Sequence, residues 1–84
     1  MSLTTENAFL LKFQGYKFAF EKGIDFTEVV VPQASLDFGF DFHPDYQFLV
    51  NTVEVHTTEG CWVVVVDENY EVVDSMLEAF SYDF

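Results

Sequence analysis

Two kinds of side chain in this 84-residue chain have the chemistry to act on another molecule: a single thiol, and fifteen carboxylates accompanied by two imidazoles. Cys61 stands in Gly60-Cys61-Trp62, at the head of the apolar run Cys61–Val66. A nucleophilic cysteine needs a base and an orienting group brought in from distant parts of the chain, and apolar surroundings keep a thiol protonated. Cys61 therefore reads as structural. Asp37, Asp41, His43 and Asp45 gather oxygen and nitrogen donors around one strand end, and a strand period sets Asp37, Asp41 and His43 on a common face. A divalent ion would fit there if Glu54 or His56 approached from a neighbouring strand. The spacing matches no calcium loop, which needs ligands at alternate positions, a Gly at the sixth and a Glu at the twelfth. A solvated acidic face is the better reading, with no metal and no cofactor. His43 and His56 then read as surface strand residues with a weak pH response.

Paired carboxylates of the glycosidase kind carry no information here, because fifteen acids guarantee some pair at a suitable separation. The chain has no glycine-rich phosphate loop, no G-x-S-x-G and no Cys/His metal spacing. These residues point to binding and not to catalysis.

The charge itself is the most informative feature. Three lysines and no arginine oppose the fifteen acids, for a net charge of −12. All three lysines fall within residues 1–22, which sum to +1 with Glu6 and Glu21, whereas residues 23–84 carry thirteen acids and sum to −13. Nucleic acid and anionic membrane are disfavoured as direct partners, since both need Lys or Arg to offset phosphate. The electrostatically natural partner is a basic protein. The expected contact surface is Asp37, Asp41, Asp45, Glu54, Glu59, Asp67, Glu68, Glu71, Asp74 and Glu78. A globule of this size is roughly 30 Å across, and B-DNA of that length carries about 17 charges. An acidic protein that imitates DNA, or an immunity-type inhibitor of a basic protein, belongs to this class.

High charge usually marks disorder, but half of this chain is hydrophobic and 19% is aromatic, with 11 phenylalanines. Something must be packed. Surface scaling gives roughly 5,000 Å² folded against about 14,000 Å² unfolded, a marginal core for one small domain. A lone cysteine excludes an internal disulfide, so association with a copy of itself or with a partner is the expected compensation. The phenylalanine excess supports an alternative reading: a homo-oligomeric structural subunit, such as a phage or prophage component, whose charge only keeps it soluble. The lone thiol suits a reducing cytoplasm, and no targeting or membrane segment is visible. Met1-Ser2-Leu3 reads in part as a tag remnant and carries no weight.

The elements that would hold these residues form an α+β domain, dominated by a mostly antiparallel sheet with a short C-terminal helix. Leu36–Phe42 alternates strictly and reads as the clearest strand; Thr52–Thr57 and Cys61–Val66 follow as a hairpin through Thr58-Glu59-Gly60. The second of these has no polar face and is expected to be central and covered on both sides. Asp67-Glu68-Asn69 makes the next turn, with Asn69 left-handed, and Tyr70–Val73 is a further strand. Ile24–Val31 is another, ended by Pro32. Ser75 and Glu78 form a capping box ahead of Val73, Leu77, Phe80 and Phe84 at helical spacing, which predicts the C-terminal helix. Residues 5–22 admit two readings. Phe9, Phe13, Tyr16 and Phe20 form a helical stripe ended by Lys22-Gly23, yet such a helix directs Leu11 and Phe18 away from that stripe and keeps Gly15 mid-helix. A hairpin turning at Gln14-Gly15 puts Phe9, Leu11 and Phe13 opposite Phe20, Phe18 and Tyr16, at the cost of setting Lys12 against Lys17. The hairpin is narrowly ahead.

Overall fold

The computed structural model of the protein describes residues 3–79. Residues 5–22 are a helix, α1 (Thr5–Lys22), with both ends chemically closed. At its start the Asn7 N–H donates to Thr4 Oγ1 at 3.1 Å, and at its end Gly23 takes φ 66° while the Ile24 N–H returns to the Ala19 carbonyl at 2.9 Å. The helix thus ends in a Schellman turn that glycine enters without strain. The hairpin reading is corrected, and so is the expected orientation. Leu11, Gly15, Phe18 and Ala19 are the buried residues, while Phe9, Phe13, Tyr16 and Phe20 face away from the sheet.

Gly15 decides which stripe goes inside. A Cβ at this position would lie 2.6 Å from Val29 Cγ1 and 3.1 Å from Val53 Cγ2, so the helix backbone rests almost directly on two sheet valines. The helix cost of glycine mid-helix, about 1 kcal/mol relative to alanine, is offset by the burial this approach permits. Leu11, Phe18 and Ala19 close the core with Val29, Val53, Val55, Val64 and Val66.

Those valines come from a five-stranded antiparallel sheet: β1 (Glu28–Val30), β2 (Asp41–His43), β3 (Phe48–His56), β4 (Gly60–Asp67) and β5 (Val72–Ala79). The order is β1-β3-β4-β5, with β2 also pairing β3 on the edge used by β1. Register leaves Asn51–Val53 without a strand partner there, because β1 reaches Glu54 and β2 begins at Val50. A short helix, α2 (Gln33–Phe38), fills the gap. Asn51 Oδ1 accepts the Thr52 N–H at 2.8 Å, Asn51 Nδ2 donates to the Ser35 carbonyl at 3.3 Å, and the Ser35 and Thr52 hydroxyls share a 3.0 Å bond. The three polar side chains replace the missing ladder and leave its backbone donor paired.

The domain is α+β as expected, with its helices elsewhere. The predicted C-terminal helix is a strand: β5 pairs with β4 from Gly60 opposite Ala79 to Val66 opposite Val72, with a register shift between Val65 and Val66. A ladder of seven pairs beside an apolar neighbour outcompetes a two-turn helix that would have to bear its own nucleation cost. Phe80 and Phe84, on which that expectation also rested, lie outside the described residues. The predicted strand Leu36–Phe42 is split into α2 and β2 by Gly39, at φ 66° and ψ −146°. Pro32 precedes α2, and Gln33 Nε2 donates to Asp37 Oδ1 one turn later at 2.9 Å. Ile24–Val31 contributes only Glu28–Val30 as strand, and the left-handed turn residue is Tyr70, at φ 61°, in place of Asn69. The last strand starts at Val72 and not at Tyr70. β4 is central, as expected, but its two sides are covered unequally: α1 packs on β1, β3 and β4, while on the other side Val65 is buried and Cys61 and Val63 are half-buried. Among the described residues no helix is long and apolar enough to cross a membrane.

Gly15→Val should destabilise the fold by about 2 kcal/mol or more, the cost of overpacking a tight contact. Urea unfolding checks this, and unchanged stability would mean that the helix does not rest on Val29 and Val53.

Candidate functional site

Strand alternation fixes what the uncovered side of the sheet displays. Four cross-strand rows follow from the pairing. The first runs Glu28, His56, Cys61, Glu78; the second Val30, Glu54, Val63, Met76; the third Thr52, Val65, Asp74; the fourth Asp41, Val50, Asp67. Six carboxylates thus stand on one face around the half-buried Val63 and the exposed Met76, while Val65 on the same face is buried. The three lysines are all on α1, on the opposite side of the sheet.

The face is ordered at one end by the β2–β3 turn. Tyr46 reaches from this turn across to β5, where its hydroxyl donates to Asp74 Oδ2 at 2.6 Å. Asp74 Oδ1 also accepts the Ser75 N–H at 2.8 Å. The Tyr46 hydroxyl and the Ser75 amide hold the Asp74 carboxyl below its usual range, and the same bond raises the Tyr46 hydroxyl. Tyr46 is itself placed by neighbouring rings, at 5.1 Å from His43 and 6.1 Å from Phe48.

Toward the other end, Glu54 Oε1 and His56 Nε2 lie 2.9 Å apart, and Cys61 is the direct cross-strand neighbour of His56. The donor atoms of Glu54, His56 and Cys61 all fall within 4.8 Å of one another. This is a different set from the expected Asp37, Asp41 and His43, which do not share a strand because Asp37 is on α2. Partial burial raises the Cys61 thiol, and the Glu54 and Glu78 carboxylates raise it further. It stays protonated at neutral pH and is a poor nucleophile. The Glu54–His56 pair already satisfies the two groups that flank it.

The expected contact residues therefore divide. Asp41, Glu54, Asp67, Asp74 and Glu78 share the open face. Asp45 lies in the β2–β3 turn, while Glu68 and Glu71 lie in the β4–β5 turn at the same end of the sheet. There Asp67 Oδ1 accepts the Asn69 and Glu71 amides, both at 2.9 Å, and so shapes the turn. Asp37 on α2 and Glu59 in the β3–β4 turn stand apart from this group. Glu28 was not expected and belongs with it; Glu28-Val29-Val30 shows no alternation, and only its pairing with His56 places it there. No family model, no curated protein and no solved structure matches this chain.

A groove of 550 Å³ opens on the helix side between α1 and β5, lined by Lys17, Glu21, Lys22, Glu71 and Val72 among others. It exists because α1 stops short of β5, leaving Val73 and Leu77 exposed.

Two outcomes check the site. Tyr46→Phe should raise the Asp74 pKa toward the ordinary carboxylate value in a carboxyl NMR titration. Since the Asp74 pKa is lowered by folding, its contribution to stability is present above the unfolded pKa and is lost as pH falls through the folded one, and the variant should lose that acid-limb dependence. Cys61 should be alkylated by iodoacetamide about tenfold more slowly than free cysteine at neutral pH and recover in urea; equal rates would show a thiol exposed to solvent.

Proposed function

We propose that this protein is a non-enzymatic acidic binding protein whose open sheet face occupies the basic surface of a partner protein, as a DNA mimic or an immunity-type inhibitor does. The supporting observation is the separation of charge: Glu28, Asp41, Glu54, Asp67, Asp74 and Glu78 share a face with no lysine on it, while every lysine is carried by α1. Clustered charge of one sign raises the encounter rate with an oppositely charged surface, and Met76, with the half-buried Val63 beside it, supplies apolar contact between the carboxylates once the surfaces meet. Acids anchored by neighbours, as Asp74 is by Tyr46, keep their charges in place and lose less freedom on binding. A reducing cytoplasm, where one unpaired thiol persists, is the proposed compartment.

A second reading has its own observation. Phe9 and Phe20 are 73% and 77% exposed on the outer side of α1, an apolar patch of the kind that marks an interface. It favours a homo-oligomeric structural subunit, such as a phage component. The two readings part on salt, which loosens an acidic protein from a basic partner and tightens association between like-charged copies.

The triple variant Glu54→Gln, Asp74→Asn, Glu78→Gln tests the first reading against a basic protein captured from host lysate at low salt. Its association rate should fall about tenfold, with a smaller change in the dissociation rate. Capture that resists high salt, or an association rate unchanged in the variant, would overturn the steering role of the face.

A further inference from the structure

We propose that the outer stripe of α1 is the seam of a two-fold dimer in which two copies of α1 pack antiparallel. This goes beyond the acidic reading and holds whatever the open face binds. Phe9, Phe13, Tyr16 and Phe20 follow one another at spacings of 4, 3 and 4, the d-a-d-a pattern of a helix that packs against another helix. All four point away from the sheet, with exposures from 36% for Tyr16 to 77% for Phe20. The helix thus has two apolar sides, and its own domain covers one of them.

Charge selects a second copy as the occupant. Copies of a −12 chain repel wherever acid meets acid, and only α1 has a surplus of lysine, with Lys12, Lys17 and Lys22 against Glu6 and Glu21. The open-face carboxylates lie on the far side of the sheet, a full helix-and-sheet thickness from the seam, beyond a Debye length of about 8 Å at physiological salt. Pairing through β5 instead would bring Asp74 and Glu78 of both copies to one junction. The area is also sufficient. The exposed parts of the four rings and Leu10 come to about 500 Å² per copy, so the pair removes about 1,000 Å², the lower bound for a specific interface.

Orientation follows from the flanking positions. With Phe13 and Phe20 at a and Phe9 and Tyr16 at d, Lys12 is a g position and Lys17 the following e position. A parallel pair sets Lys12 of each copy against Lys17 of the other, twice over. An antiparallel pair removes that clash, opposes the helix dipoles, and brings Phe9 onto the second copy's Phe20 and Phe13 onto its Tyr16. Phe26 stands edge-on to Tyr16 and Phe20, at 5.6 and 6.1 Å, and extends the seam. The dimer carries its two open faces on opposite outer sides.

Sedimentation equilibrium of the full chain should show a dimer that persists or tightens in 1 M NaCl. Phe9→Ser/Phe20→Ser, at two sites too exposed to support the core, should keep the circular dichroism spectrum and weaken the dimer at least about a hundredfold. Orientation is read on a Cys61→Ser background: Phe9→Cys/Phe20→Cys should form disulfide-linked dimers on mild oxidation, and Phe9→Cys alone should not. A monomer at every concentration, or a dimer indifferent to the double serine variant, overturns the seam. Crosslinking by Phe9→Cys alone overturns the antiparallel arrangement. Loss of the dimer with retention of salt-sensitive partner binding separates this inference from the function of the acidic face.

Discussion

Everything in this domain depends on how closely α1 can lie on the sheet. Glycine at position 15 removes the one side chain that would hold the helix away, and the sheet beneath it offers chiefly valines, Val29, Val53, Val55, Val64 and Val66, with Trp62 against Phe18. Short β-branched side chains make a low, even surface with few rotamers to restrict. Against it a helix with Leu11, Phe18 and Ala19 beside its glycine seats deeply, and a chain of this length obtains a core from few residues. Bulk on either surface would lift the helix and forfeit contacts along its whole length.

Seating the helix by its narrow side has a consequence for the wide one. Gly15 brings the side of the helix that carries Leu11, Phe18 and Ala19 onto the sheet, so Phe9, Phe13, Tyr16 and Phe20 are turned outward. One helix covers β1, β3 and β4 only, which leaves most of β5 and much of the opposite side of the sheet, Val50 and Val65 apart, in water. Carboxylates keep that side solvated. The uneven charge, the outward aromatics and the open face all follow from one helix packed tightly on a sheet wider than itself.

Sequence patterns made part of this legible. The hairpin of β3 and β4 and the turn after β4 follow from alternation, β-branching and glycine placement, and the α+β class is correct. Position 15 was the point of failure for residues 5–22: glycine in mid-helix argues against a helix until the two valines it approaches are known. Leu36–Phe42 alternates as well as any strand, and Phe40 does pack inward, edge-on to Tyr70 at 5.4 Å. Yet local alternation says nothing of the gap in the β3 edge that α2 fills. At the C-terminus a capping-box pattern and a strand pattern overlap, and the free edge of β4 decides between them. Of the acidic site, composition announced the carboxylates but not their geometry. Asp37 and Glu59 were grouped with residues from which the topology separates them, and the Tyr46–Asp74 bond spans 28 positions.

Strand order also has a bearing on the time course of folding. β2, β3, β4 and β5 are successive in the chain and neighbours in space, so three hairpins assemble residues 41–79 at small loop-closure cost. The helix that completes the core comes earlier in the chain and is made first. During synthesis α1 therefore leaves the ribosome with both of its apolar sides uncovered, and waits for a sheet whose last strand is translated more than fifty residues later.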